Sequence, residues 1–112
     1  MIPAKVAIYA AVTPVDLRRS FDGLSAAARD VLGADPRGGA LFLFFNRGRD
    51  RVKVLWYDRT GFCLLYKRLD RGTFRLPSPL STTDRSVRID AAELAKILEG
   101  IDLPPSRSRT AA

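Results

Sequence analysis

Apolar positions along this chain fall into short strand-like runs separated by turn residues, with two stretches where they switch to helical spacing. Val6 to Val12 is a β-branched and apolar run that reads as a first strand. Thr13-Pro14-Val15-Asp16 then reads as a helix start, with Thr13 at the N-cap, Pro14 at N1 and Asp16 at N3, where its charge also suits the helix dipole. Leu17, Phe21, Leu24, Ala28, Val31 and Leu32 follow at a spacing that lines one helical face, and Gly33 is a natural stop. The opposite face carries Arg18, Arg19, Ser25 and Arg29, for which solvation is the plainer explanation.

Residues 34–39 are turn chemistry, and Leu41 to Phe45 is a continuous apolar run suited to a buried strand. Asn46-Arg47-Gly48-Arg49-Asp50 reads as a hairpin tip exposing two arginines, and Arg51 to Tyr57 returns as the next strand. Asp58-Arg59-Thr60-Gly61 suits a type I turn closed by a glycine bulge, which would pair Asp58 with Phe62 and Lys53 with Lys67. That register places Val52, Val54, Trp56, Leu64 and Tyr66 on an apolar face, and Arg51, Lys53, Tyr57, Cys63, Leu65 and Lys67 on the other. A second turn at Leu69-Asp70-Arg71-Gly72 leads to a short strand, Thr73 to Leu76, ended by Pro77. After a polar loop, Arg85 to Ile89 alternates as an edge strand would. Asp90 with Glu93 then resembles a capping box for a last helix carrying Leu94, Ile97 and Leu98 and ending at Gly100.

The pattern predicts an α+β domain over residues 1–103. It would be a curved antiparallel meander of about five or six strands, with one long N-terminal helix and a short C-terminal helix packed on one side. Residues 104–112 have nothing apolar to bury and read as a disordered tail. No internal repeat is present.

Composition narrows the chemistry. The chain has 112 residues, 46% of them hydrophobic, which is enough for one modest core. With one cysteine, Cys63, and no histidine, an internal disulfide framework and His-based metal or catalytic sites are excluded, and no cofactor is expected. The carboxylates have plainer work: Asp16, Asp90 and Glu93 at helix starts, Asp35, Asp50, Asp58 and Asp70 in turns, Asp22 and Asp30 on a solvated face. Neither a metal-dependent nuclease site nor a base-activated nucleophile emerges, and Gly38-Gly39 precedes a strand, unlike a phosphate-binding loop. The N-terminal apolar run is too short to span a membrane and lacks a signal peptide's basic flank, so a reducing, cytoplasmic setting without membrane contact is expected.

Charge points to a partner. From Arg47 to Arg75 nine Lys or Arg stand against three Asp, so +6 of the net +7 sits in one segment. A field so concentrated favours a polyanion, and nucleic acid is the commonest. Arg47, Arg49, Arg51, Lys53, Lys67, Arg68 and Arg71 are the candidate phosphate contacts, with Tyr57 as a candidate stacking group. Trp56 and Tyr66 alternate with Val52 and Val54 and are expected in the core, whereas any of these rings that is exposed could stack on an unpaired base, favouring single-stranded ends or RNA. A docking module for a protein partner is the alternative, in which the basic charge meets an acidic surface.

Several blocks occur together: Met-Ile-Pro at the N-terminus, Pro14 to Leu24 (PVDLRRSFDGL), Asp50 to Asp58 (DRVKVLWYD), Gly61 to Leu69 (GFCLLYKRL), Gly72-Thr73-Phe74, and Leu98 to Asp102 (LEGID). In this order they resemble the small accessory proteins called TnpB of the insertion-sequence family numbered sixty-six, which are distinct from the RNA-guided nucleases of the same name. The resemblance covers residues 1–103 and departs at Leu76, where a second tryptophan is usual. It implies a non-catalytic accessory role in transposition of a prokaryotic mobile element, the strand-joining chemistry belonging to a separate transposase. The partners it implies are DNA at the element ends, the transposase and a second accessory protein.

Overall fold

A strand, a helix and a second strand in succession return the chain to the end of the sheet where it began, and this crossover sets the topology. In the computed structural model, which describes residues 6–33, 35–81 and 83–100, β1 (Ile8–Ala11) is joined to β2 (Leu41–Phe45) through α1 (Phe21–Leu32). The two strands therefore lie parallel, with Ile8 beside Leu41 and Ala10 beside Leu43. β3 (Arg51–Asp58) and β4 (Gly61–Arg68) follow as antiparallel hairpins, and β5 (Ser86–Ile89) pairs antiparallel with the free side of β1. The order is β4-β3-β2-β1-β5, with α2 (Ala91–Glu99) last in the chain.

The sheet is thus mixed, which corrects the expected antiparallel meander. Its helices also lie on opposite faces. Leu24, Ala27 and Ala28 of α1 pack with Phe42, Phe44 and Leu55, while Leu94 and Ile97 of α2 pack with Leu43, Phe45, Val52 and Val54. Because both faces are covered, all five residues of β2 are buried, and the run Leu41 to Phe45 needs no polar alternation.

Three local expectations are corrected as well. α1 begins at Phe21, not near Pro14, and is 12 residues long. The preceding groups have other partners: Val15 N–H donates to the Phe45 carbonyl at 2.9 Å, and Arg18 N–H to the Asp16 carboxylate at 3.0 Å. Such side-chain and tertiary bonds satisfy the backbone outside a helix. The β3–β4 connection is a two-residue loop, Arg59–Thr60, with Arg59 left-handed (φ 50°), so Asp58 pairs with Gly61 and Lys53 with Tyr66. This one-residue slip moves the side chains of β4 to the opposite faces. Lastly, Thr73 to Leu76 is no full strand. Phe74 N–H donates to the Arg49 carbonyl at 2.6 Å, and its ring packs against Phe45.

The helix ends follow their chemistry. Gly33 is left-handed (φ 64°) and its N–H donates to the Arg29 carbonyl at 2.6 Å, closing α1. The Asp90 carboxylate accepts from Glu93 N–H at 2.8 Å, opening α2. Residues 104–112, expected as a tail, lie outside the described residues, as do the side chains of Val31 and Leu32.

Candidate nucleic-acid interface

The β2–β3 turn is built by one side chain. Asn46 Oδ1 accepts from Asp50 N–H at 3.1 Å and Arg51 N–H at 3.0 Å, while its Nδ2 donates to Asp50 Oδ1 at 2.6 Å. The Asn46 bond holds the Asp50 carboxyl below the usual carboxylate range, and the positive charges of Arg51 and Arg68 add to the effect. Leu69 N–H donates to the Asp50 carbonyl at 2.9 Å, so the turn is tied to the end of β4. A fixed turn presents Arg47 and Arg51 in a defined direction.

Beside it lies a cleft of about 680 Å³ between the Pro14–Arg18 segment and Asn46–Gly48, lined also by Arg51 and Tyr66. It opens on the face covered by α1. Arg51 stands directly opposite Arg68 in the β3–β4 ladder. Like charges so placed destabilise a sheet. Both are exposed, and the Asp50 carboxylate, which feels both positive charges, offsets part of the repulsion.

Tyr66 is the exposed ring of the cleft, with 53% of its surface accessible. The Lys53 ammonium lies 4.8 Å from its ring centroid, a cation–π contact that occupies one side. Lys53 is itself only 7% exposed and donates to the Arg19 carbonyl at 2.7 Å. That bond links mid-sheet to the residue just before the cap of α1. An apolar face with a lysine at its centre places the charge where a chain carbonyl and an aromatic face replace water.

Asp16 modulates the rim. Its carboxylate accepts from Arg18 Nε at 3.0 Å and from a terminal guanidinium nitrogen at 2.8 Å. These Arg18 bonds lower the Asp16 pKa from 3.8 to about 2. The sign follows: a depressed carboxylate contributes its pairing fully above pH 3.8 and loses it as pH falls through about 2. Both groups are therefore ionised at any physiological pH, and Asp16 offsets part of the Arg18 charge at the rim. Asp16→Asn is expected to release Arg18, raise polyanion affinity a few-fold at low salt and steepen its salt slope by about 0.9, as measured by anisotropy titration.

Of the sequence-derived candidates, the structure gathers Arg47, Arg51 and Arg68 at this end of the α1 face. Lys53 is buried beneath Tyr66 and is not exposed to a phosphate. Lys67 points to the other face, where its ammonium donates to the Leu98 carbonyl at 2.6 Å near the end of α2. Arg49 and Arg71 are exposed but do not line the cleft. Tyr57 is half-buried at the far end of β3, edge-on to Phe62 with centroids 5.1 Å apart and with the Arg37 guanidinium 5.7 Å from its own centroid. Trp56 packs on the α2-side core, whereas Tyr66 does not.

Arg18 and Tyr66 are the additions. Reading residues 13–20 as helix hid Arg18, although Asp16 two residues before an arginine also spells a local Asx turn. The one-residue register shift corrects Tyr66 from the expected core face to an exposed ring beside Lys53.

Among the described residues no group of three or more His, Cys, Asp or Glu is placed to hold a metal ion. Among them too, no helix is long and apolar enough to cross a membrane. Compared with known proteins, residues 6–108 match the family model described as IS66 Orf2 like protein. The chain is 38% identical over 104 residues to the uncharacterized protein y4hO of Sinorhizobium fredii, a match covering 91% of this chain and 88% of that one. It is 33% identical over 95 residues to y4jC of the same organism, also uncharacterized, covering 85% and 79%. No solved structure matches it.

Proposed function

The chain belongs to the IS66 Orf2-like family, whose role is accessory to transposition, and from that premise we propose that it acts as a non-catalytic polynucleotide-binding factor on the DNA of its element. The observation that carries this reading is the exposed arginine array at the β2–β3 turn, where Arg47 and Arg51 line the cleft and Arg68 stands opposite Arg51. The array offers three phosphate contacts, with Arg18 joining them only when Asp16 is removed. Contacts of this kind position a protein on a backbone, and base specificity then comes from other groups or from the transposase.

The test is anisotropy titration of the full chain with a labelled duplex of the element's terminal sequence and with a scrambled duplex, at 50 and 200 mM salt. Three phosphate contacts predict that affinity falls roughly 40-fold across that range. Tighter binding to the terminal duplex than to the scrambled one would add end recognition. Absence of binding to both at the lower salt would overturn the proposal.

A second reading rests on a different observation. β4 is an outer strand of the sheet, and on its α2 side Leu65 is 40% exposed. An apolar side chain on an open strand edge suits docking on the transposase or on a second accessory protein. Leu65→Asp separates the two readings, since it should abolish transposase capture if docking dominates and leave DNA affinity unchanged if the arginine cleft does.

A further inference from the structure

We infer that the cleft takes an unpaired nucleotide, so that the preferred ligand of this chain is a single-stranded polynucleotide with one base stacked on Tyr66 and its flanking phosphates held by Arg47 and Arg51. The inference rests on the nucleic-acid reading above and deepens it. Three features of the site lead to it. The first is shape: a volume of about 680 Å³ lies within the roughly 300–1,000 Å³ typical of small-ligand clefts, suited to one or two nucleotides and not to the width of a double helix.

The second is the ring. Tyr66 lies among cationic side chains and is half-exposed on an outer strand; one face of its ring covers the buried Lys53 ammonium, and the rest is not used by the core. One side is taken by the Lys53 ammonium, anchored in turn by the Arg19 carbonyl, so the orientation of the ring is held while the rest of its surface stays open to the cleft. A base in a duplex has both faces covered by its neighbours, whereas an unpaired base can lay one face on an aromatic ring. Cations around a stacking ring are the pattern of sequence-tolerant strand binders.

The third is the division of labour. The arginines lie on the rim formed by the β2–β3 turn and the start of β3, and Tyr66 comes from the adjacent strand β4. A backbone running along the rim would direct a base toward the ring.

The experiment compares fluorescein-labelled dT12, rU12 and a 12-base-pair duplex by anisotropy at 150 mM salt, using the full chain and its Tyr66→Ala and Tyr66→Phe variants, with circular dichroism to confirm that each is folded. The wild-type chain is expected to bind a single strand more tightly than the duplex. Tyr66→Ala should weaken single-strand binding by between about 5-fold and 150-fold, the range seen for loss of one base–aromatic stack, while Tyr66→Phe stays within about 2-fold. Duplex affinity should change less than about 2-fold in either variant, because phosphate contacts do not use the ring. The comparison of dT12 with rU12 tells whether the strand is DNA or RNA, a contact to the 2′-hydroxyl favouring the latter. Equal wild-type affinity for strand and duplex, or an equal loss on both in Tyr66→Ala, would overturn the inference while leaving a salt-sensitive duplex binder intact. No binding of any probe, even at 50 mM salt, would overturn the nucleic-acid reading together with it.

Discussion

Phe45→Ala is expected to destabilise the protein by about 3–5 kcal/mol, the largest single-residue effect anticipated in this fold. Phe45 ends β2, is fully buried, faces α2 and pairs with Val52 across the ladder. Its ring packs against Phe74 with centroids 6.0 Å apart. Truncation would leave a cavity and remove the partner of Phe74, whose N–H ties the segment after β4 to the Arg49 carbonyl at 2.6 Å. Small domains are typically stable by only about 5–15 kcal/mol, so a large share would be lost. Urea denaturation followed by circular dichroism should show the midpoint falling steeply with little change in slope, against a Leu65→Ala control, half-exposed on β4, whose midpoint moves far less. A shift below about 1 kcal/mol would mean that the two rings do not form a close-packed unit. Because the Phe45 carbonyl also receives Val15 N–H at 2.9 Å, the variant should loosen the Pro14–Arg18 rim of the cleft as well.

Replacing Arg47, Arg51 and Arg68 together by alanine should do the reverse, sparing the fold and removing the activity. Each phosphate contact contributes about 0.9 to the slope of log affinity against log salt on duplex DNA, so losing three should flatten it by about 2.7. Affinity at 50 mM salt should drop by roughly 100-fold or more. Stability should stay within about 1 kcal/mol of wild type, since the relief of the Arg51–Arg68 repulsion is offset by the loss of their attraction to Asp50. Lower affinity with undiminished stability is the signature of residues retained for a ligand. Undiminished affinity would move the binding surface elsewhere, whereas a large loss of stability would show that the arginines serve the sheet itself.

Much of the local structure was legible in the sequence because it depends on neighbours in the chain. Asp90 before an apolar stripe caps α2, Gly33 closes α1 through a left-handed φ that glycine adopts without strain, and Leu41 to Phe45 forms a strand buried on both faces. The excess of positive charge between Arg47 and Arg75 was equally plain. What failed had distant partners. Pro14 to Ser20 carries acceptable helix-start residues, yet Phe45, about thirty residues away, claims the Val15 N–H. The expected antiparallel meander failed for the same reason, because strand directions are decided by where α1 packs after crossing the sheet, and that crossover makes β1 and β2 parallel.

The site divides along the same line. Charge and composition are independent of conformation, so a basic, histidine-free domain with an arginine-bearing hairpin was readable from residue types alone. Tertiary structure decided which of those cations line the cleft and which bond within the fold. A two-residue turn in place of a three-residue one shifted β4 by one position, put Tyr66 beside Lys53 and sent Lys67 to the α2 side. Side chains alternate with period two, so a single residue of register reverses every assignment on a strand, and only the packing of both faces selects between the two.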